Sequence, residues 1–342
     1  IGIAGNLSEQ IINDFRKRRD LMAHRGPDQA GEWFKYDRGV VLGNRRLSIF
    51  DLTEASNQPF VMDDGKLVLV FNGAIYNYLE LRENLKSKGH KFKTSGDSEV
   101  LLTAYKEWGF DCLNYLNGMW AFAIYDEIDG ASNKKIFFAR DRAGEKPFYY
   151  RLNSNFFEFS SELKGLNNNN EIDLNALNHY LALGYVPGDL CIEKGISKLP
   201  PAHAGVFNLK SKELKKWRYW SLPSLNCNNY DYINEEELVK SAWSLLTDSV
   251  KLRLRSDVPT GIFLSGGIDS SLVTAAAAQA SNQNIKTFTI GVPGSDLDET
   301  KYAKLISDYF KTDHHVLQIK SPSLNTLNEL QPFIDEPIAD SS

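Results

Sequence analysis

Leu264-Ser265-Gly266-Gly267-Ile268-Asp269-Ser270-Ser271 joins an apolar run at 261–264 to an Ala-rich run at 272–280. Strand, glycine turn and helix in that order make an anion site. Two glycines let backbone N–H groups approach a phosphate, and the helix N-terminus adds partial positive charge. Ser265, Ser270 and Ser271 add hydroxyl donors. Asp269 repels a phosphate unless a cation lies between them, which points to Mg²⁺ bridging Asp269 and a nucleotide. The spacing is not that of a Walker A loop, and the Lys of that loop is missing. A plain glycine turn capped by Ser and Asp is the alternative; the strand and helix on either side favour the phosphate.

Two textures of chain surround this loop. Short apolar, aromatic or β-branched runs at 40–43, 67–71, 120–125 and 135–139 read as strands. Helices are expected at 78–88 and at 98–108, the second capped by Ser95-Gly96-Asp97. Strands with helices between them predict an α+β layered body over residues 1–200. Within it, 167–170 is a polar loop tip and 174–183 a helix. Residues 201–234, Pro-rich, aromatic and irregular, read as a bridging segment. From 235 the pattern changes. Residues 236–254 form an amphipathic helix with Leu238, Ala242, Leu245, Leu246, Val250 and Leu254 on one stripe. Strands at 261–264, 287–292 and near 315–317 alternate with helices at 272–280 and 299–310. That alternation predicts a doubly wound parallel sheet over 235–342, with Ser265 at a strand C-terminus, where such sheets bind ligands.

Composition limits the function classes. The chain has 342 residues, 42% hydrophobic and 24% charged, ordinary for a two-domain globular protein. A net charge of −5 without a basic stripe argues against nucleic acid as a partner. No apolar run has the length of a membrane span, and no signal peptide opens the sequence. Cys112, Cys191 and Cys227 are scattered without metal-ligand spacing, which fits a reduced cytoplasm. His314 and His315, adjacent on a strand, point to opposite faces and make a poor metal pair.

Further stretches carry a resemblance. They are Gly2-Ile3-Ala4-Gly5, His24-Arg25-Gly26-Pro27-Asp28, Arg46-Leu47-Ser48-Ile49, Asn72-Gly73-Ala74-Ile75-Tyr76-Asn77 and Ser95-Gly96-Asp97-Ser98-Glu99. Ala139-Arg140-Asp141-Arg142, Glu145-Lys146-Pro147, Ser161-Glu162, Leu199-Pro200-Pro201 and the glycine loop follow. In this order, over essentially the whole length, the chain resembles the glutamine-dependent asparagine synthetases of the B type. The glycine loop itself is similar to the pyrophosphate loop of ATP pyrophosphatases.

The resemblance implies an N-terminal-nucleophile αββα sandwich with class II glutaminase activity, followed by a truncated α/β doubly wound ATP pyrophosphatase domain. In the family, ammonia from glutamine passes through a tunnel to aspartate that ATP has adenylated, giving asparagine, AMP and pyrophosphate. Asn72 and Gly73 match the oxyanion hole. Arg46, Leu47, Ser48, Ile49, Phe50, Ala74 and Asp97 complete the glutamine pocket, with Arg46 on the α-carboxylate and Asp97 on the α-ammonium. Leu264, Ser265, Gly266, Gly267, Asp269, Ser270, Ser271 and Ile290 match the ATP site, with Mg²⁺ on Asp269. Asp298-Glu299 matches an acidic pair near the nucleotide, or caps a helix. The family is often dimeric, which leaves a homodimer open here.

Two positions depart from the family. Its motif opens Cys-Gly-Ile-Ala-Gly, and here Ile1 stands in place of the cysteine. Its Asn-Gly-Glu reads Asn72-Gly73-Ala74. Isoleucine has no nucleophilic atom, so the first domain is expected not to hydrolyse glutamine. A cysteine upstream of Ile1 would lie out of register. The family's later Ser-Gly-x-Gly-x-Asp-Glu segment is absent, and Asp335-Glu336-Pro337-Ile338-Ala339-Asp340-Ser341 matches its aspartate-side region only in part, so a longer natural protein is expected. Ligases of the same lineage acting on another carboxylate (β-lactam-forming, lasso-peptide-cyclising or glycan-amidating) stay open, as does a relative that only binds nucleotide.

Overall fold

The computed structural model describes residues 1–130, 133–166, 171–224, 234–281, 284–295, 298–319 and 324–339. The chain divides into two compact units. Unit 1 is Ile1–Leu222 together with Phe333–Ser342, and unit 2 is Pro223–Pro332.

Unit 1 holds two antiparallel sheets. The first runs in the order β10 (Ser197–Lys198), β8 (Tyr149–Leu152), β9 (Phe156–Ser160), β1 (Gly2–Gly5), β3 (Val40–Arg46), β2 (Gln29–Lys35). The second runs β12 (Leu214–Arg218), β11 (His203–Asn208), β7 (Lys135–Arg140), β6 (Gly118–Asp126), β5 (Leu67–Ile75), β4 (Phe60–Met62). Ala4, Val40, Leu42, Phe157 and Phe159 of the first sheet bury against Val68, Val70, Ala123, Ile136 and Phe138 of the second. Alternate side chains of the first sheet turn the other way, and there Ile3 and Val41 pack with Phe15 of helix α1 (Glu9–Asp20). Outside the second sheet lie α2 (Tyr78–Ser87) and α3 (Asp97–Trp108), where Tyr105 stacks on Phe137 at 5.2 Å. The layers are thus helix, sheet, sheet, helix, and α4 (Leu174–Leu183) follows them in the chain.

Residues 201–224 are not the irregular bridge expected from their composition. They supply β11 and β12, and the remainder of that segment, 225–233, lies outside the described residues with Cys227. The strand was hidden because β12 is a sheet edge. Its Lys215, Lys216 and Arg218 are the charges that keep an edge from pairing further.

In unit 2 the strands β13 (Gly261–Phe263), β14 (Lys286–Gly291) and β15 (Asp313–Gln318) are parallel in that order. Helices α5 (Glu235–Arg253), α6 (Ile268–Ala280), α7 (Thr300–Phe310) and α8 (Leu324–Leu330) complete it. The α5 stripe is only half used: Val250 is buried, with Leu246 and Leu254 partly so, whereas Leu238 and Leu245 are exposed. No helix among the described residues is long and apolar enough to cross a membrane. The 167–170 loop tip lies outside the described residues.

Candidate functional site

The glycine loop sits where the sequence places it, between the end of β13 and the start of α6. Gly266 is left-handed at φ +82°, and a Cβ there would lie 2.5 Å from the Tyr302 backbone of α7. Only glycine allows that turn and that approach together. Ser265 Oγ accepts from the Gly267 N–H at 3.2 Å and lies 2.9 Å from Ser270 Oγ. The Ser271 hydroxyl is buried with no partner. The first N–H groups of α6 have no intrahelical acceptors, as at any helix start, and Asp269 is exposed there. A phosphate group fits this end: it would supply the acceptor that the Ser271 hydroxyl lacks. Leu264 is buried, its N–H given to Phe288 O at 2.8 Å and its carbonyl taken by Thr289 Oγ1. Ile290, next to the last residue of β14, is half exposed. No cluster of three or more His, Cys, Asp or Glu suited to a metal occurs among the described residues, His314 and His315 included. Asp298 accepts from the Thr300 N–H at 3.0 Å, and hydrogen bonding from Thr300 holds its carboxyl below the usual range, which is the capping use of that acid.

In unit 1, Ile1 belongs to the core. It packs with Ile3, Phe15, Met22 and Val41, and its backbone nitrogen donates to Gly43 O at 3.1 Å. Asn72 and Gly73 lie on β5 opposite Ala121 and Trp120 of β6. A Cβ on Gly73 would meet Met119 O at 2.1 Å, so this position needs glycine for close approach. The Asn72 amide donates to Ser161 Oγ at 3.3 Å. A cavity of about 30 Å³, enough for a water-sized molecule, is bordered by Ile1, Asn44, Asn72, Ser160 and Ser161. Asn44 Oδ1 is buried there without a partner.

The two charges expected to recognise glutamine are already engaged. Arg46 Nη1 donates to Thr53 O and Asn57 Oδ1 at 3.2 and 2.9 Å, and Nη2 to Phe50 O and Asp51 O at 3.1 and 2.5 Å. Burial lowers its basicity. Asp97 Oδ2 accepts from the Ile75 N–H at 2.9 Å. Burial pushes its carboxyl up to about 6, against the pull of the Ile75, Asp97 and Ser98 N–H groups and of Arg46. Ala74 is buried, Phe50 rests on Tyr78 with ring centroids 5.0 Å apart, and the Ser48 N–H donates to Asp28 at 2.8 Å. Leu47 is exposed and Ile49 half-buried.

Asp97 gives a pH test. An unfolded aspartate titrates near ~3.9, and the folded one near about 6. Between those values the native state keeps a proton that the unfolded state has lost, so this contribution is full below pH ~4 and is lost as pH rises through ~6. Asp97→Asn carries no titrating group and is expected to flatten that fall by about 2 kcal/mol. Urea titrations of both proteins at pH 4 and 7 check this; equal slopes would refute it.

Sequence reasoning passed over two features. Asp141, nearly fully buried, accepts from five backbone N–H groups: Trp120 at 3.2, Ala143 at 3.1, Gly144 at 2.6, Glu145 at 2.9 and Lys146 at 3.0 Å. The Ala-Arg-Asp-Arg motif was its only signal. The second is Glu162, which gathers His24 at 2.9, Arg25 at 3.1 and Lys164 at 3.0 Å. His24 and Arg25 are thus engaged in ion pairing to Glu162. Arg142 lies 5.8 Å over the Trp220 ring, and Lys146 is half-buried, its basicity lowered by burial and by Arg25.

Residues 1–220 match the family described as glutamine amidotransferase domain, and residues 242–342 the family described as asparagine synthase. A putative glutamine-hydrolysing asparagine synthetase 2 of Methanocaldococcus jannaschii is 39% identical over 98% of this chain and 67% of its own length. The glutamine-hydrolysing asparagine synthetase 1 of Bacillus subtilis is 34% identical over 97% of this chain and 51% of its own. A putative glutamine-hydrolysing asparagine synthetase of Mycobacterium tuberculosis is 34% identical over 99% and 53%. The chain thus spans between half and two thirds of the length of these relatives. With the layered sheets, the glycine loop and these matches in place, the chain belongs to the asparagine synthetase family, a glutamine amidotransferase domain preceding an asparagine synthase domain.

Proposed function

We propose that this chain is part of an ATP-dependent ligase that activates a carboxylate, aspartate first among candidates, and joins it to nitrogen, while its own amidotransferase domain does not hydrolyse glutamine. On this reading unit 1 has the N-terminal-nucleophile fold, unit 2 is the start of an ATP pyrophosphatase domain, and the protein works in the cytoplasm. The observation that carries the ligase is the partnerless Ser271 hydroxyl at the N-terminus of α6, beside the Ser265 hydroxyl and a glycine turn.

ATP with Mg²⁺, when bound, supplies a phosphoanhydride that a carboxylate opens with pyrophosphate as leaving group. The free N–H groups at the start of α6 and the Ser265 and Ser271 hydroxyls are fixed before reaction. They bear the negative charge that grows on departing pyrophosphate without first having to reorient. Asp269 is the carboxylate for Mg²⁺. Leu264 and Ile290 border the base through their main chains, with the Leu264 N–H already spent on β14. Nitrogen arrives as free ammonia or as an amine on a second substrate, because Ile1 offers no thiol.

The test is AMP and pyrophosphate formation by the native full-length protein supplied with ATP, ammonium and aspartate. Asp269→Asn is expected to lower that rate about 10²-fold. AMP formed only with another carboxylate would move the substrate away from aspartate and keep the ligase. An unchanged rate in both Asp269→Asn and Ser265→Ala would remove the site from the reaction.

A further inference from the structure

Residues 333–339 directly follow unit 2 in the chain and belong to unit 1. Their contacts there are polar and directional. Glu336 Oε1 accepts from the Ile192 N–H at 2.9 Å, and Oε2 from Lys198 Nζ at 2.6 Å, with both side chains 14% exposed. The same ammonium donates to Val186 O at 2.7 Å. The Ala339 N–H donates to Gly184 O at 2.8 Å. Asp335 Oδ1 accepts from the Leu163 N–H at 3.1 Å, and the Phe333 ring meets His24 edge-on at 5.1 Å.

Leu163 begins the short helical turn Leu163–Gly165, which has little slack. A Cβ on Gly165 would lie 2.0 Å from Ser160 Oγ, and Arg18 holds the Gly165 carbonyl at 3.1 Å. One residue before this turn come Ser160 and Ser161, which border the small cavity beside Ile1, and Ser161 Oγ receives the Asn72 amide. Glu162, between Ser161 and Leu163, is pinned by His24, Arg25 and Lys164. Hydrogen bonds of fixed geometry and three consecutive peptide units therefore connect Asp335 to the cavity wall.

We propose that residues 333–339 act as a positioning strap for the cavity, with Glu336 as its clasp. Through Asp335 and the Leu163 N–H the strap sets the Ser161 hydroxyl against Asn72, and so the size and polarity of a space suited to one small neutral hydrogen-bonding molecule. That the molecule is ammonia rests on the ligase reading above; the mechanical link does not.

Amide hydrogen exchange on the native full-length protein tests the link. Glu336→Ala is expected to speed exchange at Ile192 about tenfold or more, the worth of one hydrogen bond to a charged group, and at Leu163, which Glu336 does not touch, by a similar factor. Lys198→Met, which leaves the Ile192 contact in place, is expected to speed Leu163 alone, and carries the test if Glu336→Ala does not fold. Glu336→Gln, which retains an acceptor for Ile192, is expected to restore protection at both amides in part. In the same variants KM for ammonium is expected to rise several-fold with kcat within about twofold, as for an effect on reception of the nitrogen. Leu163 exchange unchanged in both Glu336→Ala and Lys198→Met overturns the strap. Exchange that responds as stated in a protein whose native form makes no AMP with ammonium upholds the strap and sinks the ligase reading instead.

Discussion

Glutamine incubated with the native protein is expected to release glutamate at least about 10⁴-fold more slowly than an ordinary enzyme turning over at about 1–10³ s⁻¹. Attack on an amide needs a lone pair at the position held by Ile1, and an aliphatic side chain has none. The remaining thiols on view are no substitute. Cys112 and Cys191 are both buried, and burial pushes Cys191 up to about 12 and Cys112 higher still, so neither offers a thiolate near neutrality. The proposed reading extends to recognition. Ala74 carries no charge, and the terminal nitrogens of Arg46 hold four oxygens of the 50–57 loop, which must let go before a substrate carboxylate can take their place. The control is Ile1→Cys with Ala74→Glu, bearing a free amine on the new cysteine. Glutamate release in this double variant alone assigns the loss to those two positions. Release at an ordinary rate by the native protein would refute the proposal.

Asp141→Asn is expected to destabilise unit 1 by about 3–4 kcal/mol and to lower its Tm by about 10 °C. Five N–H groups converge on one carboxylate, from Trp120 and from residues 143–146. An amide replaces one acceptor oxygen by a donor and leaves part of that set facing another N–H in a site closed to water. Trp120 lies in the same contact and is 1% exposed, so its fluorescence reports the transition in urea. A loss under about 1 kcal/mol would show that the loop stands without the carboxylate.

The parts of this protein that were legible in sequence are those with local causes. Residues 67–71 are continuously apolar because that strand is buried on both faces, and 97–108 is helical because Leu101, Leu102 and Tyr105 recur on a face that is buried, although no side chain caps its start. The glycine loop was readable because turn, strand and helix adjoin in the chain. What was not legible depends on distant partners. That Arg46 holds Phe50 O, Asp51 O, Thr53 O and Asn57 Oδ1 could not be read from its motif. The Lys-rich β12 looks like loop until β11 pairs with it. The partners of Asp335 and Glu336, namely Leu163, Ile192 and Lys198, are more than a hundred residues away. The full apolar stripe of α5 promised more burial than the described residues give it, since periodicity reports which face is apolar and not what covers it.

The side chain at position 1 is wedged among Ile3, Phe15, Met22 and Val41. Exchanging it for a smaller thiol opens a gap there, whose cost depends on how far those four can close in. On the proposed reading, introducing hydrolysis is therefore a repacking problem before it is a chemical one. Hydrocarbon packing of this kind works as a ratchet: each further adjustment around the isoleucine makes a thiol there costlier to accommodate.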